Sequence, residues 1–245
     1  MKLYSGMVLI EILADEKNLD AFNAVLKEVL TNMCPTLYNK HYSVFLDIML
    51  KAISMEGAKD TLQECLEYVV EDTTLLENTI VYDLKNKLSV LYLTKGKYAR
   101  GIEKCLEIIS QSKKTGDTYY AAKSYIDMGT TYVMLGDSEK GCEYIAKGMN
   151  MPIEDKEKGA YIKTYGAINL YDAILYEKNF EQVKQVQEIL KEYTSVLDPQ
   201  TQQMTHVMDR LSFARIKIAM GELEGIYEEL KSIEEEINTA EAVSY

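Results

Sequence analysis

Apolar residues recur along this chain in two rhythms, a short one of three to four residues and a long one of about forty. The short rhythm is clearest between Tyr82 and Ser110. Leu84, Leu88, Leu91 and Tyr92 form one stripe, Lys95-Gly96-Lys97 interrupts it, and Ile102, Cys105, Leu106 and Ile109 form a second. Spacings of three and four place such residues on one face of an α-helix, so the segment predicts two amphipathic helices joined by a tight turn. The same arrangement returns around Leu135-Gly136-Asp137, with Tyr125, Met128, Gly129 and Tyr132 before it and Gly141, Tyr144 and Ile145 after it. A glycine ends the first helix by taking the left-handed conformation, and Asp137 or Ser138 caps the next.

The long rhythm extends this pattern over the whole chain. Glu16, Gly57, Gly96, Gly136, Lys178 and Gly221 follow one another at intervals of 39 to 43 residues. Five residues after each anchor stand Ala21, Leu62, Gly101, Gly141, Val183 and Ile226. Four before stand Ile12, Ile53, Tyr92, Tyr132, Ile174 and Lys217. A fixed period of this size marks helical hairpins that bury their apolar faces against their neighbours. Pro35, Pro152 and Pro199 fall between the repeats, where the missing N–H and the clash with a preceding turn do no harm. No stretch alternates as a strand would. The expectation is an all-α chain, residues 1–245 as a single domain, built as a right-handed α-solenoid of about six antiparallel helix pairs.

The residues Leu88, Tyr92, Gly96, Tyr98 and Gly101, and again Met128-Gly129, Tyr132, Gly136-Asp137 and Gly141, resemble the tetratricopeptide repeat. That family sets a large residue, Leu-Gly, a Tyr, a turn glycine and a small residue where two helices cross. This chain departs from it at Lys178 in place of the turn glycine, at Lys217 in place of the Tyr, in having no Trp, and in a period near forty. Longer repeats of this kind are similar to those of bacterial regulators, including peptide-sensing proteins and the sensory halves of some diguanylate cyclases and transcription activators.

Charge narrows the partners. There are 39 acidic and 27 basic residues, a net charge of −12. Nucleic acid and anionic membrane surfaces both call for a basic face, so neither is an expected partner. A basic or neutral partner fits better, although acidity also serves solubility. Cys34, Cys65, Cys105 and Cys142 are scattered without a Cys-x-x-Cys pair, three of them in second helices. That pattern predicts free thiols, those in the helices acting as small apolar side chains, rather than a zinc site or a disulfide framework, and a cytoplasmic location. The apolar run from Gly6 to Leu13 is too short for a membrane span and contains Glu11.

Catalytic chemistry finds little support. His41 and His206 stand alone, and no nucleophile elbow, zinc-protease motif or phosphate loop occurs. Gly136 and Gly141 have the glycine spacing of a phosphate loop, but no Lys-Ser/Thr follows and no strand precedes. The carboxylates Glu222, Glu224, Glu228, Glu229 and Glu234-Glu235-Glu236 read as a solvated helix face. No catalytic residue, metal or cofactor is assigned.

The resemblance implies that the first helix of each pair lines a concave groove. Carried onto this sequence, the groove residues are Asp47, Lys51, Asp83, Asn86, Lys123, Thr130, Tyr165, Asp172 and Arg215. They could hold an extended peptide or protein segment through hydrogen bonds, stacking on Tyr165 and charge pairing at Lys123, or be solvated polar residues only. They do not match the Lys/Asn/Arg clamp with which chaperone-binding members hold an acidic tail. The expected function is a non-enzymatic peptide-binding module of a cytosolic bacterial signalling or regulatory protein. The alternative is the sensory N-terminal part of a larger enzyme such as a GGDEF-type diguanylate cyclase. The phase of the repeat would start a further helix near Thr239, so continuation past Tyr245 and self-association through the C-terminal repeat are further expectations.

Overall fold

The computed structural model describes residues 3–32 and 34–243, with only the backbone described at 3, 4, 15, 56 and 238–243. Among the described residues, thirteen α-helices and three 3-10 turns make up the regular structure, and no strand occurs. The chain divides into two compact units, residues 1–104 and 105–245.

The first unit contains α1 (Leu3–Asp15), α2 (Leu19–Thr31), α3 (Pro35–Lys40), α4 (Tyr42–Ser54), α5 (Lys59–Glu71), α6 (Asn78–Thr94) and the start of α7 (Tyr98–Thr115). Helix α2 packs on α1 and α5, and α5 packs on α4 and α6. Its core is made by residues four apart on single helices: Phe22, Leu26 and Leu30, then Phe45 and Met49, then Leu62 and Leu66, then Leu84 and Leu88, all at most 1% exposed. Burying a side chain of this size contributes roughly 1.5–3 kcal/mol relative to leaving it in water.

Helix α3 is an addition to the plain join expected at Pro35. Proline at the first position costs nothing there, because that N–H has no partner in any helix. The short helix delivers Tyr38 onto Phe45 as a stack with centroids 4.1 Å apart, and the Tyr38 hydroxyl donates to the Leu30 carbonyl at 2.5 Å. Burial pushes the Tyr38 phenol far above its usual range, with the nearby Cys65 adding to the effect. The first turn is displaced by one from its sequence anchor, since Lys17 rather than Glu16 takes the left-handed conformation, with φ 54°.

The second unit contains the rest of α7, then α8 (Thr118–Met134), α9 (Ser138–Met149), α10 (Lys156–Glu177), α11 (Val183–Tyr193), α12 (Pro199–Met220) and α13 (Ile226–Val243). Helix α10 packs on α8, α9, α11 and α12. Asp117, Asp137, Asp155 and Asp198 each accept a backbone N–H from the first turn of the helix they precede. Such caps are worth about 1 kcal/mol each.

Helices α8 and α9 approach closely because both carry glycine at the crossing. A Cβ on Gly129 would stand 2.5 Å from the Gly141 carbonyl oxygen, and one on Gly141 would stand 2.8 Å from the Gly129 carbonyl oxygen. Gly148 repeats the arrangement against the Ala122 carbonyl, at 2.5 Å. The small residue expected at Gly141 thus meets a backbone. At Lys178, where the turn glycine is missing, the chain still adopts the left-handed conformation, φ 56°, and its N–H closes on the Ile174 carbonyl.

The acidic α13 is more than a solvated face. Arg210 of α12 donates to Glu229 at 2.7 Å, to Glu236 at 2.8 Å and to Ser232 at 3.1 Å. The hydrogen bond to Glu229 comes first among the influences that raise the guanidinium pKa, and it holds Glu229 below the usual carboxylate range. No helix among the described residues is long and apolar enough to cross a membrane.

Candidate functional site

All nine residues expected to line a groove lie on the first helices α4, α6, α8, α10 and α12. Asp47 is exposed and Lys123 is half-buried. The others are engaged with the protein itself. In the first unit, Asp83 accepts from the Tyr42 hydroxyl and pairs with Lys87 at 3.0 Å. Asn86 is buried, Lys51 is half-buried, and neither side chain is without a partner.

In the second unit the pattern becomes a ladder between first helices. Thr130 donates to Asn169 Oδ1 at 2.8 Å, and the Asn169 amide donates to the Tyr165 carbonyl at 2.8 Å. The Tyr165 hydroxyl donates to Asp127 at 2.6 Å, and the Tyr171 hydroxyl donates to Asp209 at 2.6 Å. Asp172 pairs with Arg215 at 2.8 Å. Each contact between different helices bridges 38 to 43 residues of sequence, about one repeat, whereas the Asn169–Tyr165 bond lies within α10. A buried carboxylate such as Asp127, 3% exposed, stays charged only where donors replace its water. Burial first, and then the Asp127 charge and hydrogen bond, push the Tyr165 phenol well above its usual range. Burial and Asp209 do the same to Tyr171.

Sequence reasoning missed the partners that complete this ladder. Asp127, Asn169 and Asp209 carry no motif, and Tyr165 looked like a stacking surface for a ligand. Its ring does stack, but on Tyr161, with centroids 5.8 Å apart and planes 8° from parallel. A second aromatic series joins α8 to α9. Tyr144 lies between Tyr132 and Tyr125 at 5.4 and 6.1 Å, with the Lys140 and Lys147 ammonium groups over the outer rings at 3.9 and 4.3 Å.

Clefts open on both units among the described residues. One of about 340 Å³ in the first unit lies between Leu30, Tyr38, Val69 and Leu76, with Glu71 and Asp72 at its rim. One of about 330 Å³ in the second unit is lined by Met149, Met151, Ile153 and Val196, with Lys156 and Lys163 beside them. A third, of about 250 Å³, lies where the N-terminal turns of α8, α10 and α12 meet. Its walls are the rings of Tyr119 and Tyr161, the carboxylates of Asp155, Glu157 and Asp198, and the ammonium of Lys158.

No protein-family model matches the chain, and no curated protein matches it. Among solved structures, the crystal structure of BtubC (BKLC) from P. vanneervenii is similar at 12% identity and a TM-score of 0.47. The match covers 98% of this chain and 93% of that one. A likeness at that level defines no family for the chain.

Proposed function

We propose that this chain is a non-enzymatic, tetratricopeptide-like binding module that presents the outer surface of its first helices to a peptide or protein segment. In this reading the helical hairpins stack as a right-handed α-solenoid of six pairs, α3 being an insertion, inside a cytosolic bacterial signalling or regulatory protein. The observation that carries the reading is the recurrence of side-chain contacts between first helices at one-repeat intervals, from Thr130–Asn169 to Asp172–Arg215. Such contacts fix the spacing of neighbouring first helices, and a rigid, regularly spaced surface loses little entropy when an extended segment lies along it.

The ladder also redistributes the roles among the residues named from sequence. Asp83, Thr130, Tyr165, Asp172 and Arg215 set the spacing of the surface, Asn86 and Lys51 are engaged with the protein, and Asp47 and Lys123 remain to touch a partner. A second copy would pack on the last hairpin, where Met204, Met208, Leu223 and Tyr227 are 43 to 75% exposed.

The test is capture of a partner by the intact chain, followed by competition with variants. Asp47→Arg and Lys123→Glu should weaken capture at least tenfold, while Glu143→Arg and Lys184→Glu on second helices should not. Loss of capture only with the second-helix variants would overturn the reading. Size-exclusion chromatography with light scattering, with Tyr227→Lys as the control, tests self-association.

A further inference from the structure

We infer that the cleft between the N-terminal turns of α8, α10 and α12 is a receptor for a cationic side chain, arginine or lysine, carried by a peptide partner. The inference deepens the peptide-binding reading and rests on it. Three independent features of the cleft converge on a cation.

The first is the pair of aromatic walls. Tyr119 and Tyr161 stand with centroids 6.2 Å apart and planes inclined by 47°, so the two rings form an open corner. Tyr161 also stacks on Tyr165, and Tyr119 makes an edge contact with Tyr120 at 5.1 Å, so both rings are held by neighbours. A corner of two ring faces attracts cations through the ring quadrupoles. Buried Leu197 closes the cleft with an apolar surface that suits the methylene stem of a long basic side chain.

The second is charge. Helix N-termini ordinarily favour anions, each acting as roughly half a positive charge. Here α10 and α12 are already capped, by Asp155 on the Lys158 N–H at 3.0 Å and by Asp198 on the Gln200 and Thr201 N–H groups at 3.0 Å. Hydrogen bonds from Thr201 hold the Asp198 carboxyl below the usual range, so it stays ionised. Three carboxylates outweigh the Lys158 ammonium and the three termini together, which leaves the cleft at about half a negative charge.

The third is that the chain already places a cation there. Lys158 Nζ lies 5.5 Å over the Tyr119 ring, and both residues line the cleft. Lys158 is exposed and sits at the rim. It is therefore a competitor that an incoming arginine or lysine must displace or face. This makes the sign of one substitution specific: removing Lys158 should improve binding.

The test uses the intact, isotope-labelled chain and follows backbone amide resonances while N-acetylarginine amide is added, with N-acetylnorleucine amide as the neutral probe of similar length. Shifts should cluster at Tyr119, Lys158, Tyr161 and Thr201 with the arginine probe and be absent with norleucine. Lys158→Ala should tighten binding about threefold and Glu157→Gln should weaken it by a similar factor, consistent with one charge removed at close range near a surface. Lys184→Ala, which removes the same charge elsewhere, should leave it unchanged. The inference falls if the shifts spread over the acidic surface of α13, or if Lys158→Ala and Lys184→Ala act alike. Binding of the probe without capture of any partner would leave the cation site standing and remove the peptide-module reading; capture through the first helices without probe binding would do the reverse.

Discussion

The Tyr165 hydroxyl donates to the Asp127 carboxylate at 2.6 Å across 38 residues of sequence, from α10 to α8. Asp127 is buried, and this donor supplies one of the partners that water would give an exposed carboxylate. Replacing Tyr165 by Phe removes this donor from the buried carboxylate. The expected cost is about 1–3 kcal/mol in urea unfolding. Adding Asp127→Leu to Tyr165→Phe should recover part of the loss, since removing both partners costs less than orphaning one. A double variant no better than additive would show that the pair is not coupled.

Buried tyrosines give the chain an alkaline limit. Burial raises the phenols of Tyr38, Tyr165 and Tyr171 above their value in the unfolded chain. A group raised in this way stabilises the fold fully below its unfolded pKa, near 10, and that contribution is lost as pH rises through the folded pKa. Stability should therefore be flat through neutral pH and fall steeply above about pH 10. Tyr171→Phe should make that fall shallower. Calorimetric scans between pH 8 and 11.5 measure the slope, and an unchanged slope in the variant would contradict this assignment.

Lys178 stands in the left-handed conformation, φ 56°, at a position where other turns of this chain use glycine. A side chain there costs roughly 1–2 kcal/mol, partly offset by the larger entropy that glycine loses on folding. Lys178→Gly should raise stability by about 0.5–1 kcal/mol. A decrease in the midpoint of thermal unfolding would mean that Lys178 makes contacts that outweigh its backbone strain.

Gly129 and Gly116 separate two reasons for glycine. A Cβ on Gly129 would press on the Gly141 backbone, whereas one on Gly116 would meet nothing within 4 Å but would strain a φ of +76°. Asn tolerates the left-handed region and is too large for a helix crossing. Gly116→Asn should be nearly neutral, and Gly129→Asn should cost about 3 kcal/mol or prevent folding. Near-equal effects in thermal melts would refute the crossing.

Much of the helical organisation was legible because helix–turn–helix units repeat their apolar spacing. The stripe Leu84, Leu88 and Leu91 marks α6 wherever it packs, and Gly96, Gly136 and Gly221 mark their turns by a backbone conformation that few other residues adopt. Helix α3 escaped notice because six residues carry too little periodicity, and Pro35 reads as a break until a helix begins on it. The helices that carry the groove residues were also legible, but not the partners of those residues. Spacing within a helix says which way Thr130 and Tyr165 point. It says nothing of what faces them one repeat away, and Asn169 and Asp127 become visible only when α10 lies against α8. The cleft at Tyr119 and Tyr161 was hidden for the same reason, since its walls come from three separate first turns.

The central claim is that a partner segment lies on the first helices. The most direct measurement places a photo-crosslinking amino acid at Lys123 on α8 or at Glu143 on α9, in the intact chain within the cells that produce it, and maps the adducts by mass spectrometry. The account predicts that Lys123 yields a discrete adduct with one peptide segment and that Glu143 yields none. Adducts at Glu143 with none at Lys123 would contradict it.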